Sequence, residues 1–480
     1  MIYSKIKKIS DKRGDKIAIV DLKTGKSFTY SKLVNEIDHL AFGLKESGIK
    51  TGDLLAWYVE DDFKYISAFV ASSKIGAIFV SINRANGIDF YLKLSPRAIL
   101  VENDIQIFKN RHKTILRMDL LRRMSKKSSV SLHIPIKSEF RLLETSGTTG
   151  APKLVCFNQE NFCYDINSWV DFCQWKSSDV TLNIHDINVS HGIDVHVITS
   201  LFAGGKLILM KKNCDPDELV LVIQKERVTI FSFLPGQYHN ILNYIKGISP
   251  KDFDFSKVRY AFCGGAYLPK KLVSDLNVIC NLKIKRIYGA TEFGMMLANL
   301  EDCDQSNVGM KSIGNVEVAL HIPDEKLHGE IIGRFPGMSL GYFNDPKSTG
   351  EKFKNGWYYT GDIGYLDDQG YYWVKGRKTD AVLSESGWIL TTEIEELILG
   401  NLPLTEITVV KNNDHAVTIF VKDTGFNGDK LSAEIKNLAK RSGLSEANIL
   451  FVENIPKTLS GKPDRAKLHQ MVQEGPGEDD

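Results

Sequence analysis

The chain has 480 residues, more than one ordinary domain needs and enough to bury large cores. Hydrophobic residues make up 43% and charged residues 25%, the balance of a globular protein. The net charge of +2, from 61 basic and 59 acidic residues, argues against a surface that coats nucleic acid.

Met1 to Lys16 is lysine-rich without an apolar core, so no secretory signal is read there. Phe28 to Leu33 opens a predicted helix, with Ser31 as N-cap and Leu33, Ile37, Leu40 and Leu44 at helical spacing. Asp53–Val59 reads as a buried strand, Tyr65–Ile75 as an apolar helix and Ala77–Ile82 as the next strand. Lys74 and Lys206 interrupt the most apolar stretches, Tyr65–Ile82 and Val195–Met210, so no membrane span is expected. The basic stretch 103–139 lacks interleaved aromatics and reads as a solvated face with turns rather than a nucleic-acid site.

Strands recur at Gly205–Met210, Val228–Phe233, Tyr260–Gly265 and Ile284–Tyr288, with a helix near Asp217–Lys225. Strands alternating with helices predict an α/β fold of parallel-rich sheets covered on both faces. From about residue 378 short strands such as Ala416–Lys422 mix with a helix near Lys430–Arg441. The expected division is a large domain over 1–377, a small α+β domain over 378–473 and a disordered polar tail over 474–480. Seven scattered cysteines, without CxxC or CxH spacing, point to reduced thiols in the cytoplasm rather than disulfides or zinc.

Thr145-Ser146-Gly147-Thr148-Thr149-Gly150-Ala151-Pro152-Lys153 is the most informative stretch. It lies between Phe140–Leu143 and Leu154–Phe157, which reads as strand, small-residue loop, strand. Two glycines free the backbone to turn its N–H groups toward an anion, three hydroxyls add donors and Lys153 adds a cation. The loop is not a Walker A sequence, because Lys153 follows Pro152 and Leu154 stands where a magnesium-binding hydroxyl belongs. Alone, it also fits a flexible polar turn.

Four further motifs resolve that choice. Leu143–Lys153 resembles the phosphate loop of the acyl-adenylate-forming superfamily, which includes acyl- and aryl-CoA synthetases, luciferase and peptide-synthetase adenylation domains. Tyr288-Gly289-Ala290-Thr291-Glu292, Gly356–Asp362, Val374–Arg377 and Ile455–Lys462 resemble its later signatures, in order, from about residue 20 to 466.

The resemblance implies an enzyme that joins a carboxylic acid to AMP, expels pyrophosphate and passes the acyl group to a pantetheine thiol. By that analogy Ser146 to Thr149 hold the β- and γ-phosphates, and Glu292 holds Mg2+. Asp362 accepts the ribose hydroxyls, and Arg377 adds charge beside them. Gly264 and Gly265 admit the adenine, Tyr288 stacks on it, and Lys462 reaches the α-phosphate and the acid. Lys462 lies in the small domain, so a rotation is expected between half-reactions. The family's hinge position is Thr379 here, with Asp380 next.

His191-Gly192 looks like the histidine pair that walls the acyl pocket of acyl- and aryl-CoA synthetases. Where relatives that activate α-amino acids usually carry aspartate, this chain has His191, a poor partner for an ammonium group. Asp186 is either a turn acid or the partner of an amine placed further along a β-amino acid. Gly387, in Ser386–Glu395, resembles the glycine that lines the pantetheine tunnel. The expected reactants are ATP with Mg2+, a small aryl or short- to medium-chain acid, and CoA or the phosphopantetheine of a separate carrier protein. A non-catalytic nucleotide sensor is the rival reading, although Lys462, Glu292 and Asp362 are all retained.

Overall fold

In the strand Leu54–Tyr58, Leu55 and Trp57 enter one core while Ala56 enters another, the alternation expected of a strand covered on both faces. The computed structural model containing this strand describes residues 1–83, 87–102, 108, 111–124, 136–145, 152–248, 253–265, 268–301, 309–321, 329–384, 387–413, 416–422, 428–444, 446–457 and 463–474.

Two large sheets form the bulk of the N-terminal part. The seven-stranded sheet runs Gly341–Tyr342, Lys153–Asn158, Glu139–Thr145, Ile78–Ser81, Leu54–Tyr58, Ala98–Val101, Ile115–Arg117. From Glu139–Thr145 onward its neighbours are parallel, whereas Glu139–Thr145 and Lys153–Asn158 form an antiparallel hairpin. The nine-stranded sheet has a parallel centre: Ile284–Ala290, Tyr260–Cys263, Ile230–Phe233, Val180–Asn183, Lys206–Leu209 and Ile17–Asp21. The helices Tyr30–Glu46 and Asp62–Ile75 share one core with both sheets. Pro216–Lys225, Pro235–Lys246 and Lys270–Cys280 cover the far face of the nine-stranded sheet.

The α/β expectation therefore stands, with an addition that alternation did not reveal. Glu317–His321, Gly329–Arg334, Phe353–Lys354, Trp357–Leu366 and Tyr372–Arg377 form an antiparallel five-stranded sheet. The C-terminal part is a smaller α+β unit. Its three-stranded sheet, Ile407–Lys411, Ala416–Lys422 and Glu446–Val452, packs with the helices Thr391–Asn401 and Gly428–Arg441.

Two local readings are corrected. The helix predicted from Ser31 begins at Tyr30, and Thr29 is its cap, accepting a 3.2 Å hydrogen bond from the Lys32 N–H. Part of the basic stretch is built into the fold: Ile115–Arg117 is a parallel edge strand, and Met118–Arg123 buries Met118 and Leu121. A Cβ on Gly43 would lie 2.4 Å from the Leu121 carbonyl oxygen, so glycine permits that close helix approach. Six cysteines are free thiols among the described residues, and no described helix is long and apolar enough to cross a membrane.

Candidate active site

Two parallel strands lead at their carboxyl ends into sequence-predicted site residues, Val180–Asn183 toward Asp186 and Tyr260–Cys263 into Gly264 and Gly265, the strand end at which open α/β sheets commonly bind ligands. The hairpin closes on Thr145 paired with Lys153, so the small-residue loop joins two antiparallel strands at its base. Ser146, Gly147, Thr148, Thr149 and Gly150 lie outside the described residues. Lys153 starts the second strand, donates to Ser348 Oγ at 2.6 Å and lies 5.2 Å from the centre of the Tyr342 ring.

Gly289 and Ala290 end the strand Ile284–Ala290, and Thr291 and Glu292 lie in the tight turn before Gly294–Ala298. Tyr342, a residue that sequence reasoning missed, donates from its hydroxyl to Glu292 Oε1 at 2.8 Å. Burial first, and then the Glu292 charge, push the Tyr342 hydroxyl pKa up, so it stays a donor. A carboxylate held this way is a hard oxygen ligand of the kind Mg2+ takes together with nucleotide phosphates.

Tyr288 and Asp362 are brought together: the phenol donates to Asp362 Oδ2 at 2.5 Å. Arg377 Nε lies 3.1 Å from Asp362 Oδ1, and its Nη1 donates to the Thr360 carbonyl at 2.9 Å. The cause is strand register, since Asp362 sits directly opposite Arg377 in the antiparallel pair. Each carboxylate oxygen retains lone-pair capacity for a diol. Gly264 has a structural reason of its own, because a Cβ there would lie 2.7 Å from the Ile287 carbonyl oxygen. Gly265 adopts φ +82°, in the left-handed region.

His191 begins an eight-residue π-helix, His191–Ile198, a rare form that often marks functional sites. Three imidazoles meet at the Ser232 hydroxyl: Nε2 of His191 at 2.5 Å, of His196 at 2.8 Å and of His185 at 3.0 Å. The cluster of three ring nitrogens lies within 4.8 Å, with Ser232 Oγ at its focus. Burial pushes His185 down to about 4 and His196 well below the usual histidine value, so both are neutral. Gly192 passes close to Asp186, whose carbonyl oxygen would be 2.2 Å from a Cβ. Asp186 Oδ1 accepts from the Asn188 N–H at 2.8 Å and from its side-chain amide at 2.9 Å.

On the C-terminal side, Asp380 receives Arg465, Nε to Oδ2 at 3.2 Å, and Thr379 donates to Asp380 Oδ1 at 3.1 Å. Gly387 opens the strand Gly387–Leu390, paired with Ala381–Ser384. Lys462 lies outside the described residues, but its flanks are bridged at Lys457 and Pro463.

Known proteins share this fold. The chain is 27% identical to 4-coumarate–CoA ligase 1 of Petroselinum crispum, over 97% of this chain and 92% of that protein. It is 24% identical to indoleacetate–CoA ligase of Aromatoleum aromaticum, over 93% and 94% respectively. Among solved structures, ATP-bound MatB from Rhodopseudomonas palustris superposes with a TM-score of 0.86 at 21% identity, covering 99% of each chain. The anthranilate CoA ligase AuaEII with anthranoyl-AMP gives 0.85 at 20%, covering 98% of this chain and 96% of that one. Residues 6–343 match the family described as AMP-binding enzyme, and the chain belongs to that family.

Proposed function

We propose that this chain is an adenylate-forming acid–thiol ligase, using ATP to convert a carboxylic acid into an acyl-AMP and then into a pantetheine thioester. The observation that carries the reading is the Tyr288–Asp362–Arg377 constellation, a carboxylate fixed from both sides with lone pairs left for a ribose diol. Relatives named as CoA ligases over nearly their whole length support CoA as acceptor, and the phosphopantetheine of a carrier protein has the same reacting arm.

In the first half-reaction a carboxylate oxygen bonds to the α-phosphorus and pyrophosphate leaves. Two anions approach, so fixed donors and cations must offset their repulsion. Lys153, Ser146, Thr148 and Thr149 would face the phosphates, Arg377 the ribose side and Lys462 the reacting oxygens. Glu292, oriented by Tyr342, would hold Mg2+, which neutralises phosphate charge. In the second half-reaction the thiol sulfur bonds to the acyl carbon and AMP departs. We assign the nucleotide site to residues 1–377 and Lys462 to a rotating domain, 378–473, turning at Thr379 or Asp380.

The acid is an aryl or short- to medium-chain acid without an α-ammonium group. Asp186 has one oxygen occupied by two donors from Asn188, which favours the turn-acid reading over an amine partner. The deciding experiment is pyrophosphate exchange across aryl, short-chain, long-chain, α-amino and β-amino acids. Exchange with an α-amino acid alone refutes this assignment. No exchange with any acid, with ATP still bound, favours the nucleotide sensor.

A further inference from the structure

The hydrogen-bond arithmetic at Ser232 is closed. A hydroxyl has one proton to donate and two lone pairs to fill, and three imidazole nitrogens contact this one. Two rings must therefore donate N–H, and one must accept. His185 Nε2 also lies 2.9 Å from the Ser232 carbonyl oxygen, which can only accept, so His185 carries its proton on Nε2. His196 Nδ1 is buried without a hydrogen-bond partner among the described residues. A bare lone pair there costs less than a stranded N–H, so His196 is also an Nε2–H donor. That leaves His191 Nε2 to accept the Ser232 proton, with its own proton on Nδ1.

We propose that Ser232 is a positioning residue for the acid site, fixing His191 as a neutral Nδ1–H imidazole with His185 and His196 as its two supporting donors. Protonating His191 would aim three N–H groups at two lone pairs. The arrangement thus excludes an imidazolium at His191 on geometric grounds, while burial keeps His185 and His196 neutral. It also holds His191 at the head of the π-helix, on which the acyl pocket is built in the reading above. An imidazole held this way offers no charge to a second carboxylate or to an ammonium group. The acid lying against it is uncharged at that end.

The cluster spans positions 185, 191 and 196 and a serine on a separate strand, Ile230–Phe233. The proposal rests on the adenylation reading for its purpose, but its structural content can be tested without a substrate. Long-range 15N–1H NMR of histidine-labelled protein at pH 7 should show two Nε2–H tautomers and one Nδ1–H tautomer in the cluster. In Ser232→Ala the His191 resonance should move to a mixture of tautomers. The acid's KM should rise about tenfold, with the ATP KM unchanged. Ser232→Thr, which keeps the hydroxyl, should restore both.

An imidazolium at His191 overturns the proposal, as does one zinc ion retained per chain after dialysis against zinc. An unchanged tautomer pattern in Ser232→Ala overturns the role of the serine. The expected tautomers in a protein that exchanges pyrophosphate with no acid would keep the clamp and defeat the adenylation reading.

Discussion

Arg141 Nη1 donates to Asp194 Oδ1 at 2.6 Å, and both residues are buried although 53 positions separate them. Arg141 lies on the strand that runs into the small-residue loop, and Asp194 lies three residues past His191 on the π-helix. The pair ties the element that would hold phosphates to the element that would wall the acid. The Phe162, Phe69 and Phe157 rings, 5.3, 5.5 and 6.0 Å from the guanidinium carbon, surround the charge with apolar surface. Burial raises the Asp194 pKa, while the Arg141 charge opposes that rise.

Breaking such a pair strands a charge. Arg141→Met should cost about 3–5 kcal/mol of stability by urea denaturation. Arg141→Met with Asp194→Leu should recover most of that loss, because neither charge is then left alone. A double variant as unstable as the single one would show that packing, not the pair, is at stake.

Asp362 yields a prediction about the nucleotide. Asp362→Asn keeps the shape but removes the charge opposite Arg377 and alters the bond from Tyr288. The ATP KM should rise at least about tenfold, or ~1.4 kcal/mol. Tyr288→Phe should cost less, about 1 kcal/mol, since it removes one hydrogen bond. The wild-type preference for ATP over 2′-deoxy-ATP should narrow in Asp362→Asn. An unchanged preference would place the ribose elsewhere.

These relationships mark where sequence reading ends. Asp362, Arg377, Tyr288 and Glu292 were legible because each sits in a short linear motif. The strand Leu54–Tyr58 was legible as a short unbroken apolar run, and the helix Pro216–Lys225 by its apolar spacing. Tyr342 was not, since only folding carries it 50 residues back to Glu292. Ser232 and Arg141 read as ordinary strand residues until their distant partners are placed. The edge strand Ile115–Arg117 was masked by surrounding lysines and arginines, and its three residues are too few to show alternation.

Glu395 gives the fold a pH signature. Burial raises its pKa from 4.5 to about 7, against the opposing charge of Arg465, whose Nη2 is 3.8 Å away. A carboxyl raised on folding adds stability fully below its unfolded pKa, and that contribution is lost as pH rises through the folded value. Stability should therefore fall between pH 4.5 and 7 by on the order of 3 kcal/mol from this group. Glu395→Gln does not titrate and should flatten that part of the profile. Identical slopes for the two proteins in denaturation from pH 4.5 to 7.5 would remove Glu395 as the source.

The two half-reactions should be separable by substitution. Asp464 N–H donates to the Pro456 carbonyl at 2.8 Å, and Lys457 pairs with Pro463, so the segment carrying Lys462 is closed at its base. Arg465, three residues on, holds that base to Asp380 and to the Val409 carbonyl, at 3.2 and 2.8 Å. If Lys462 serves only the meeting of carboxylate and α-phosphate, Lys462→Ala should abolish pyrophosphate exchange. The same protein should still convert supplied acyl-AMP and CoA to thioester. If Gly387 walls the pantetheine tunnel, Gly387→Leu should do the reverse, because a side chain there would block the arm and leave the nucleotide site untouched. Each variant should lose at least about a hundredfold in its own half-reaction, ~2.7 kcal/mol, and little in the other. Both activities must be measured on protein whose unfolding transition matches the wild type. Equal losses in both half-reactions for Lys462→Ala would defeat the division of labour. Equal losses for Gly387→Leu would make that glycine a structural turn rather than a tunnel wall.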